Sequence, residues 1–405
     1  MEHPYAEVQL RKDGTVHDPA ELSAAVDMAR SSGATDVLFL VHGWNNDMGA
    51  ARRLYANLDA SLKAVEPASA ADRTLAIIGI LWPSVKWADE DSIAGGGAGL
   101  DDPAAELVRE ISERVEDPAI QARLVDLVPE LDTSPAARAE YLDLLRGLIP
   151  EAVDGDEEPP PSTLVEGDAE SVFDAARGSS GLSGAPATGG AAGFSVGGFL
   201  KAARNLLNTT TYYTMKDRAG KAGAVGVNQV LQAVAARAPD ADLHLAGHSF
   251  GARAVTAAAH ATPAQLSSVS LLQAAFSHYA LATDYDGKGH NGAFWGTPGK
   301  LSGPMIITHT RNDRAVGLAY AIASRLARQT AADVGDAGDP YGGMGSNGAQ
   351  KTPEAGVDQD LLDVGATYHF APGTVANLQA DQFIDNHGDV SNEQVAHAVY
   401  SAILA

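Results

Sequence analysis

The stretch LAGHSFG, residues 245–251, contains the pattern G-x-S-x-G around Ser249. This pattern is typical of a sharp turn in which a serine follows a strand, precedes a helix and exposes its hydroxyl as a nucleophile. The same pattern occurs at residues 191–197, AAGFSVG, around Ser195. Because the chain contains 42 glycines, a single match is weak evidence, and the flanking sequence must distinguish the two serines.

The sequence around Ser249 fits such a turn, and the sequence around the other serine does not. The residues DLHLA, 242–246, predict a short buried strand, and ARAVTAAAHA, 252–261, predicts the helix that follows. Gly247 and Gly251 have no Cβ, which lets the strand and the helix cross closely. The other serine follows GAPATGGAAG, which lacks the apolar residues of a buried strand. We therefore predict that Ser249 is the nucleophile.

A serine nucleophile needs a base to accept its proton, and the base needs an acid to orient it. In chains with this turn, the acid follows a later strand and the histidine precedes the last helix. Asp313 follows the apolar run PMIITHT, and His387 lies in FIDNHGDVSNEQ just before the final helical pattern. We predict a triad of Ser249, Asp313 and His387. Four further aspartates remain alternatives for the acid: Asp284, Asp286, Asp385 and Asp389.

The tetrahedral intermediate of acyl transfer carries a negative oxygen, which backbone N–H groups can stabilise as an oxyanion hole. One N–H is expected from Phe250, the residue after the serine. The other is expected from the loop after the apolar strand TDVLFLV, where the sequence HGW contains Gly43 and Trp44. We predict that the N–H of Trp44 is the second donor and that Gly43 belongs to the motif.

The segment 276–296, FSHYALATDYDGKGHNGAFWG, follows a strand that is expected to end near this site. Its Tyr279, His290 and Trp295, together with His248 beside the nucleophile, are candidates for lining a substrate pocket. A surface loop packed by its own aromatic residues is the alternative interpretation. The DYDG sequence lacks the twelve-residue ligand spacing of a calcium loop, and we predict no metal site and no cofactor.

Apolar strand patterns alternate with helical patterns over most of the chain. Strands are predicted at 35–44, 74–84, 241–249, 268–277 and 304–313, with a weaker one at 365–371. Helices are predicted at 50–65, 225–240, 250–261, 316–329 and 391–404, the last with Ser391 as its N-cap. This alternation predicts an α/β fold in which a mostly parallel sheet is covered by helices on both faces.

Residues 88–208 break the alternation and are predicted to form a helical insertion between two core segments, 1–87 and 209–405. Asp102 and Ser134 are the expected N-caps of two helices, because each precedes a proline at the first helical position.

Parts of the chain are rich in proline, glycine and small residues and predict flexible segments. These are VDGDEEPPPS at 153–162, RGSSGLSGAPATGGAAG at 177–193 and the loop DPYGGMGSNG at 339–348. The amphipathic piece 198–208, GFLKAARNLLN, predicts either a lid helix that meets lipid-like substrates or a helix packed on the core.

The composition excludes several classes of function. Acidic residues outnumber basic ones by 52 to 28, giving a net charge of -24, which argues against binding to nucleic acids or to an anionic membrane surface. The chain has no cysteine, so it has no disulfide, thiolate metal site or cysteine nucleophile. No apolar run reaches the length of a membrane span, and the first residues lack a signal peptide, which favours the cytoplasm.

Taken together, the HG sequence, the GHSFG turn and the order of the triad resemble the α/β-hydrolases. A closer similarity is to an uncharacterised bacterial group of that family, in which segments such as HGWNND and LWPS occur early in the chain, as they do here. The segments YYTMKDRAGKAG and THTRNDRAVGLAYAIAS also resemble that group, and the similarity covers residues 35–87 and 209–405. It implies an α/β-hydrolase fold and serine-hydrolase chemistry, most often on carboxylic esters, without implying a particular substrate.

We therefore predict a serine hydrolase that cleaves carboxylic ester bonds in a small-molecule or lipid-like substrate. Two alternatives stay open at this stage. One is an acyltransferase that uses the same triad and passes the acyl group to another acceptor. The other is a catalytically silent scaffold that binds a partner through residues 88–208.

Overall fold

The computed structural model describes residues 1–44, 47–84, 102–151, 156–177, 198–313 and 341–405. Within these ranges the chain forms a sheet of eight strands. In chain order they are β1 (Tyr5–Gln9), β2 (Asp36–Val41), β3 (Leu75–Leu81), β4 (Asp242–His248), β5 (Ser268–Leu272), β6 (Met305–His309), β7 (Gln359–Asp360) and β8 (Val375–Gln379).

The strands lie in the order β1-β3-β2-β4-β5-β6-β8-β7, and each neighbouring pair is parallel. The two apolar strands β2 (DVLFLV) and β3 (LAIIGIL) are buried over their whole length. Such continuous apolar runs are expected where a parallel sheet has both faces covered. The strand predictions at 35–44 and 74–84 are therefore confirmed.

Helices connect the strands. They are α1 (Pro19–Ser31), α2 (Met48–Ala64), α3 (Pro103–Arg114), α4 (Pro118–Leu127), α5 (Pro135–Arg146), α6 (Ser162–Glu166), α7 (Ala169–Arg177), α8 (Gly198–Lys221), α9 (Asn228–Arg237), α10 (Phe250–Ala261), α11 (Met344–Asn347) and α12 (Glu393–Ile403). A π-helical turn, Ala222–Val227, joins α8 to α9. No helix in the described ranges is long and apolar enough to cross a membrane.

The sheet has a hydrophobic core on each face. Because side chains alternate along a strand, Val37 and Phe39 of β2 enter one core while Leu38 and Leu40 enter the other. Helices α1, α9, α10 and the second half of α8 cover the first face, and α2 and α12 cover the second. The predicted coverage of both faces is confirmed.

A third core belongs to a helical module formed by α3 to α7 and the first half of α8. Leu107, Tyr141, Phe173 and Leu206 are buried at its centre. Asp102 and Ser134 cap α3 and α5 through their side chains, as predicted. Helix α8 runs without interruption across the predicted boundary between residues 208 and 209, so its two halves join the module to the sheet. The predicted boundary at residue 87 lies outside the described residues.

Two local predictions are wrong, and three elements were not predicted. The strand expected at 365–371 is a loop, in which Tyr368 stacks on Phe370 and its hydroxyl accepts a hydrogen bond from the N–H of Leu362. The pattern of aromatic residues thus reflects loop packing, and the strand is β8, a few residues later. Asn392, not Ser391, is the N-cap of α12, because its side chain accepts from the N–H of Val395. The elements without a prediction are β1, α1 and the short strand β7.

Two segments predicted to be flexible are instead packed where the structure describes them. Asp156 and Glu158 bind the buried ammonium of Lys216, and the hydroxyl of Tyr212 donates to Glu158 over 2.8 Å. Met344 in the second segment is fully buried, and its N–H donates to the carbonyl of Phe276. Acidic and glycine-rich composition did not reveal these partners, which lie far away along the chain. The stretch 178–197 and the predicted helix at 316–329 lie outside the described residues.

Candidate active site

The strand order reverses direction between β2 and β4. From β2 the chain moves outward to β3, and it then returns to the other side of β2 to form β4. In open parallel sheets, ligands bind beyond the carboxyl ends of the strands at such a reversal, because the connections diverge there and leave a crevice. Strand β2 leads into Gly43, and β4 leads into Ser249, so both predicted motifs lie at this point.

Ser249 lies on a strained turn between β4 and α10. Its backbone angles are φ 58° and ψ −123°, a conformation that residues with a side chain rarely adopt. Three backbone hydrogen bonds hold it, since its N–H donates to Leu272 and its carbonyl accepts from Ala252 and Ala275. Ser249 directly follows the last residue of β4 and directly precedes α10.

The three predicted motif glycines are required by close contacts around this turn. A Cβ on Gly43 would lie 2.6 Å from the Cβ of Ser249, and one on Gly251 would lie 2.1 Å from the carbonyl oxygen of Val41. A Cβ on Gly247 would lie 2.3 Å from the carbonyl oxygen of Gly251. No side chain fits at such distances, so the end of β2, the end of β4 and the start of α10 interlock only through glycine.

The structure brings together the three side chains of the predicted triad. The Oγ of Ser249 lies 2.9 Å from Nε2 of His387, and Nδ1 of the same ring lies 2.8 Å from Oδ2 of Asp313. A carboxylate only accepts hydrogen bonds, so Nδ1 carries the proton and Nε2 is the nitrogen that accepts from the hydroxyl of Ser249. The side chain of Asp313 is fully buried, and that of His387 is 14% exposed.

Gln273, which the sequence analysis did not select, contacts the acid of this triad. It follows β5, has φ 45° and is fully buried. Its Nε2 donates to Oδ2 of Asp313 and to the carbonyl of Gly345, both over 3.2 Å. A polar residue within the apolar run SLLQAAF is a signal that could have singled out Gln273, but it does not indicate the partner.

His248 contacts the backbone of the triad histidine. Its Nε2 lies 2.8 Å from the carbonyl oxygen of His387, and the two rings lie 4.8 Å apart. Because a carbonyl accepts only, Nε2 of His248 carries its proton. Burial, and secondarily the nearby His387, lowers the pKa of His248 to about 3, so this ring is neutral. His248 was predicted as a pocket residue, and the structure places it beside the triad.

A second buried histidine holds the loop after β2. Nε2 of His42 accepts from the N–H of Trp82, and its Nδ1 donates to the carbonyl of Gly43 over 2.8 Å. The indole N–H of Trp82 donates back to the carbonyl of His42, and the two rings stack. Burial lowers the pKa of His42 to about 4. The LWPS segment therefore supports the HGW segment, a connection that the sequence did not reveal.

The two residues predicted to form the oxyanion hole lie side by side. Phe250 is the first residue of α10, and the first N–H groups of a helix have no partner within the helix. The rings of Trp44 and Phe250 meet edge to face at 5.5 Å, which brings the loop after β2 against the start of α10. Helix N-termini favour negative charge, as an oxyanion requires.

Two of the other predicted pocket residues, His290 and Trp295, hydrogen-bond within their own loop. The indole N–H of Trp295 donates to Thr283, and Nδ1 of His290 lies 2.7 Å from Asp286. Both side chains are largely exposed, whereas Tyr279 is buried and its ring also contacts Nζ of Lys351, outside the loop. These contacts agree with the alternative interpretation of a loop packed by its own side chains. Ser195 lies outside the described residues.

A second group of Ser, His and Asp lies at the opposite edge of the sheet. Nδ1 of His244 lies 2.8 Å from Oγ of Ser268, and its Nε2 lies 3.1 Å from Oδ1 of Asp36. All three residues are buried at the amino ends of β5, β4 and β2. We call this group the Ser268 cluster, and we call Ser249, His387 and Asp313 the Ser249 triad.

The acid of the Ser268 cluster also binds a cation. Arg73 donates two hydrogen bonds to the carboxylate of Asp36, and Thr35 donates a third. Burial by itself would raise the pKa of Asp36, but the hydrogen bonds from Arg73, His244 and Thr35 hold it well below its usual range. Ser268 lies within a regular strand, opposite His244 in the register between β4 and β5.

Comparisons with family models, curated proteins and solved structures give no match to this chain. In the ranges that the structure describes, no three His, Asp or Glu side chains come together in a way that could hold a metal ion. The interpretation of the site therefore depends on its own geometry.

Proposed function

We propose that this protein is a serine hydrolase of the α/β-hydrolase fold that cleaves carboxylic esters through an acyl-enzyme intermediate. The observation that carries the proposal is the Ser249 triad, hydrogen-bonded on a strained turn at the reversal point of a parallel sheet. The nucleophile lies within hydrogen-bond reach of the base, and the base lies within hydrogen-bond reach of the acid. This is the geometric requirement for this chemistry.

In the proposed reaction, Oγ of Ser249 attacks the ester carbonyl while Nε2 of His387 takes the hydroxyl proton. Asp313 stays ionised and stabilises the imidazolium through Nδ1. The N–H groups of Phe250 and Trp44 bind the oxyanion of the tetrahedral intermediate. His387 then gives its proton to the leaving alcohol, which departs and leaves an acyl group on Ser249.

Water completes the cycle. His387 takes a proton from the water as it attacks the acyl carbonyl, and then returns that proton to Ser249 as the acid leaves. Every proton moves through groups of this chain. The buried neutral rings of His248 and His42 hold the backbone of His387 and Gly43 without competing for these protons.

The experiment that tests the proposal is labelling with a fluorophosphonate, in which an activated serine displaces fluoride and forms a covalent bond to phosphorus. The wild-type chain and the Ser249→Ala, Ser268→Ala and Ser195→Ala variants are incubated with the probe, and intact mass is measured. We expect one adduct in every chain except Ser249→Ala. Ser268→Ala is the matched control, because Ser268 also hydrogen-bonds a histidine that contacts an aspartate.

Two outcomes contradict the proposal. A folded wild-type chain that takes no label would argue for a catalytically silent scaffold, and loss of labelling only in Ser195→Ala would assign the nucleophile elsewhere. If labelling follows Ser249, a series of soluble esters measures kcat/KM. Adding alcohols then distinguishes hydrolysis from acyl transfer, because transferred ester would rise while free acid falls.

A further inference from the structure

We propose that Gln273 is a positioning residue that fixes the carboxylate of Asp313 for the reaction of the Ser249 triad. This inference rests on the proposed function of that triad. Gln273 occupies the first position after β5, the strand next to the one that carries Ser249. Strand β5 lies between β4 and β6, the strand that leads to Asp313, so Gln273 is next to both the nucleophile turn and the acid.

The hydrogen bonds of Gln273 determine how its amide group is oriented. Both groups that its nitrogen contacts, Oδ2 of Asp313 and the carbonyl of Gly345, are acceptors. Only the NH2 group can satisfy them, so a glutamate, or an amide turned the other way, would place an oxygen against two oxygens. The oxygen of Asp313 that accepts from Gln273 is also the one that accepts from His387. The glutamine thus acts on the atom that orients the base.

The position carries two unfavourable features that a purely structural role does not explain. Gln273 has φ 45°, where a residue other than glycine or asparagine is strained. Its Oε1 is buried and has no hydrogen-bond partner within the described ranges. An apolar residue would avoid the buried unpaired oxygen, so what the side chain provides is the pair of donors to Asp313 and Gly345.

The backbone around Gln273 holds this arrangement rigidly. Its N–H donates to Oγ1 of Thr308 on β6, and the next residue, Ala274, accepts from the N–H of Gly345. A Cβ on Gly345 would lie 2.7 Å from the backbone carbon of Gln273, so the loop that contains α11 is in close contact with it. The segment predicted as a flexible loop therefore supports the acid of the triad.

The test compares Gln273→Met, which keeps the length of the side chain but removes the donors, with Gln273→Glu. Asn377→Leu is the matched control, because Asn377 is a buried amide on β8 that hydrogen-bonds Ala349 and Asp358 but not the triad. Active sites are counted by fluorophosphonate titration, so that kcat refers to folded molecules only. The kcat and KM for a soluble ester are then measured across the pH range in which each chain stays folded.

For Gln273→Met we expect kcat to fall roughly tenfold to hundredfold with little change in KM, the factor for one hydrogen bond to a charged group. For Gln273→Glu we expect the acidic limb of the pH profile to move to higher pH, because a second carboxylate beside Asp313 stabilises protonated His387. Asn377→Leu should lose stability but keep the kcat and the pH profile of the wild type.

If kcat and the pH profile of both Gln273 variants equal those of the wild type, the positioning role is wrong while the proposed function stands. If Gln273→Met does not fold, the pH profile of Gln273→Glu decides by itself, and an unmoved acidic limb overturns the inference. A wild-type chain that takes no label would instead contradict the proposed function.

Discussion

The Ser249 triad and the Ser268 cluster have the same three residue types in hydrogen-bond contact, yet only one of them lies in a setting suited to catalysis. Ser249 lies on a strained turn before a helix, whereas Ser268 lies in a regular strand. The carboxylate of Asp313 accepts hydrogen bonds from His387 and Gln273, and that of Asp36 accepts two from the cation Arg73.

These differences show that hydrogen-bond contact among Ser, His and Asp is not sufficient to activate a serine as a nucleophile. An activated serine also needs N–H groups directed at the developing oxyanion, which a helix N-terminus supplies and the amino end of a parallel sheet does not. The acid needs its negative charge for the imidazolium, and a neighbouring guanidinium reduces that effect. We therefore expect the Ser268 cluster to contribute to stability and the Ser249 triad to contribute to activity.

The largest expected effect comes from replacing each acid by its amide. Asp313→Asn should lower kcat/KM roughly 10³-fold to 10⁴-fold, because the histidine loses its preferred tautomer and the charge that stabilises it. Asp36→Asn should leave kcat/KM within about twofold but lower the free energy of unfolding by roughly 2 to 4 kcal/mol. That value lies at the low end for buried pairs, because the Arg73 side chain is 32% exposed. Ester kinetics measure the effect on activity, and urea unfolding measures the effect on stability. If Asp36→Asn lost the activity and Asp313→Asn lost only stability, the roles assigned to the two groups would be wrong.

The second prediction concerns Gly43, which packs against Ser249 at the edge of the sheet that carries the Ser249 triad. Gly43→Ala should lower kcat/KM by roughly 10²-fold or more, because its Cβ would displace Ser249, whose Cβ would be 2.6 Å away. Gly356→Ala, at an exposed position with no atom within 4 Å of the added Cβ, is the control and should match the wild type. Equal activity of the two variants would show that the interlocked glycines do not set the position of the nucleophile.

The third prediction concerns pH and the support of the HGW loop. The folded pKa of His42 is about 4, below its ordinary value of 6.5, so the unfolded chain takes up the proton first as pH falls. The stability from neutral His42 is therefore complete above pH 6.5 and is lost as pH falls towards 4. When the pH falls from 7 to about 5, the unfolding free energy of the wild type should therefore drop by roughly 2 kcal/mol more than that of His42→Gln. Parallel pH curves for the two chains would contradict a buried neutral His42.

The smallest expected effect compares two histidines on one strand. His248→Leu removes the donor that holds the carbonyl of His387 and should lower kcat roughly tenfold. His244→Leu, at the other end of β4, should leave kcat per active site unchanged while lowering stability. An equal loss of kcat in both variants would show that the two edges of the sheet are coupled.

Much of the fold followed from local pattern. The apolar runs of β2 to β6 and the helical spacing of α2, α10 and α12 predicted those elements, because burial on both faces of a parallel sheet requires such runs. Strand β8 was placed wrongly, since Tyr368 and Phe370 gave a stronger local signal than VANLQ. Strand β1 was missed because its sequence, YAEVQ, is half polar at the sheet edge.

The sequence by itself determined the glycine-bounded turn at Ser249, because strand-turn-helix patterns and small residues are local properties. It predicted Asp313 and His387 only from their places after a late strand and before the last helix. Only the tertiary structure decided which buried polar residues serve that site. Gln273, His248 and His42 act through partners that lie tens of residues away or that are backbone carbonyls, and neither kind of contact leaves a sequence pattern. The same holds for the Ser268 cluster, whose members meet only because β2, β4 and β5 are neighbours in the folded sheet.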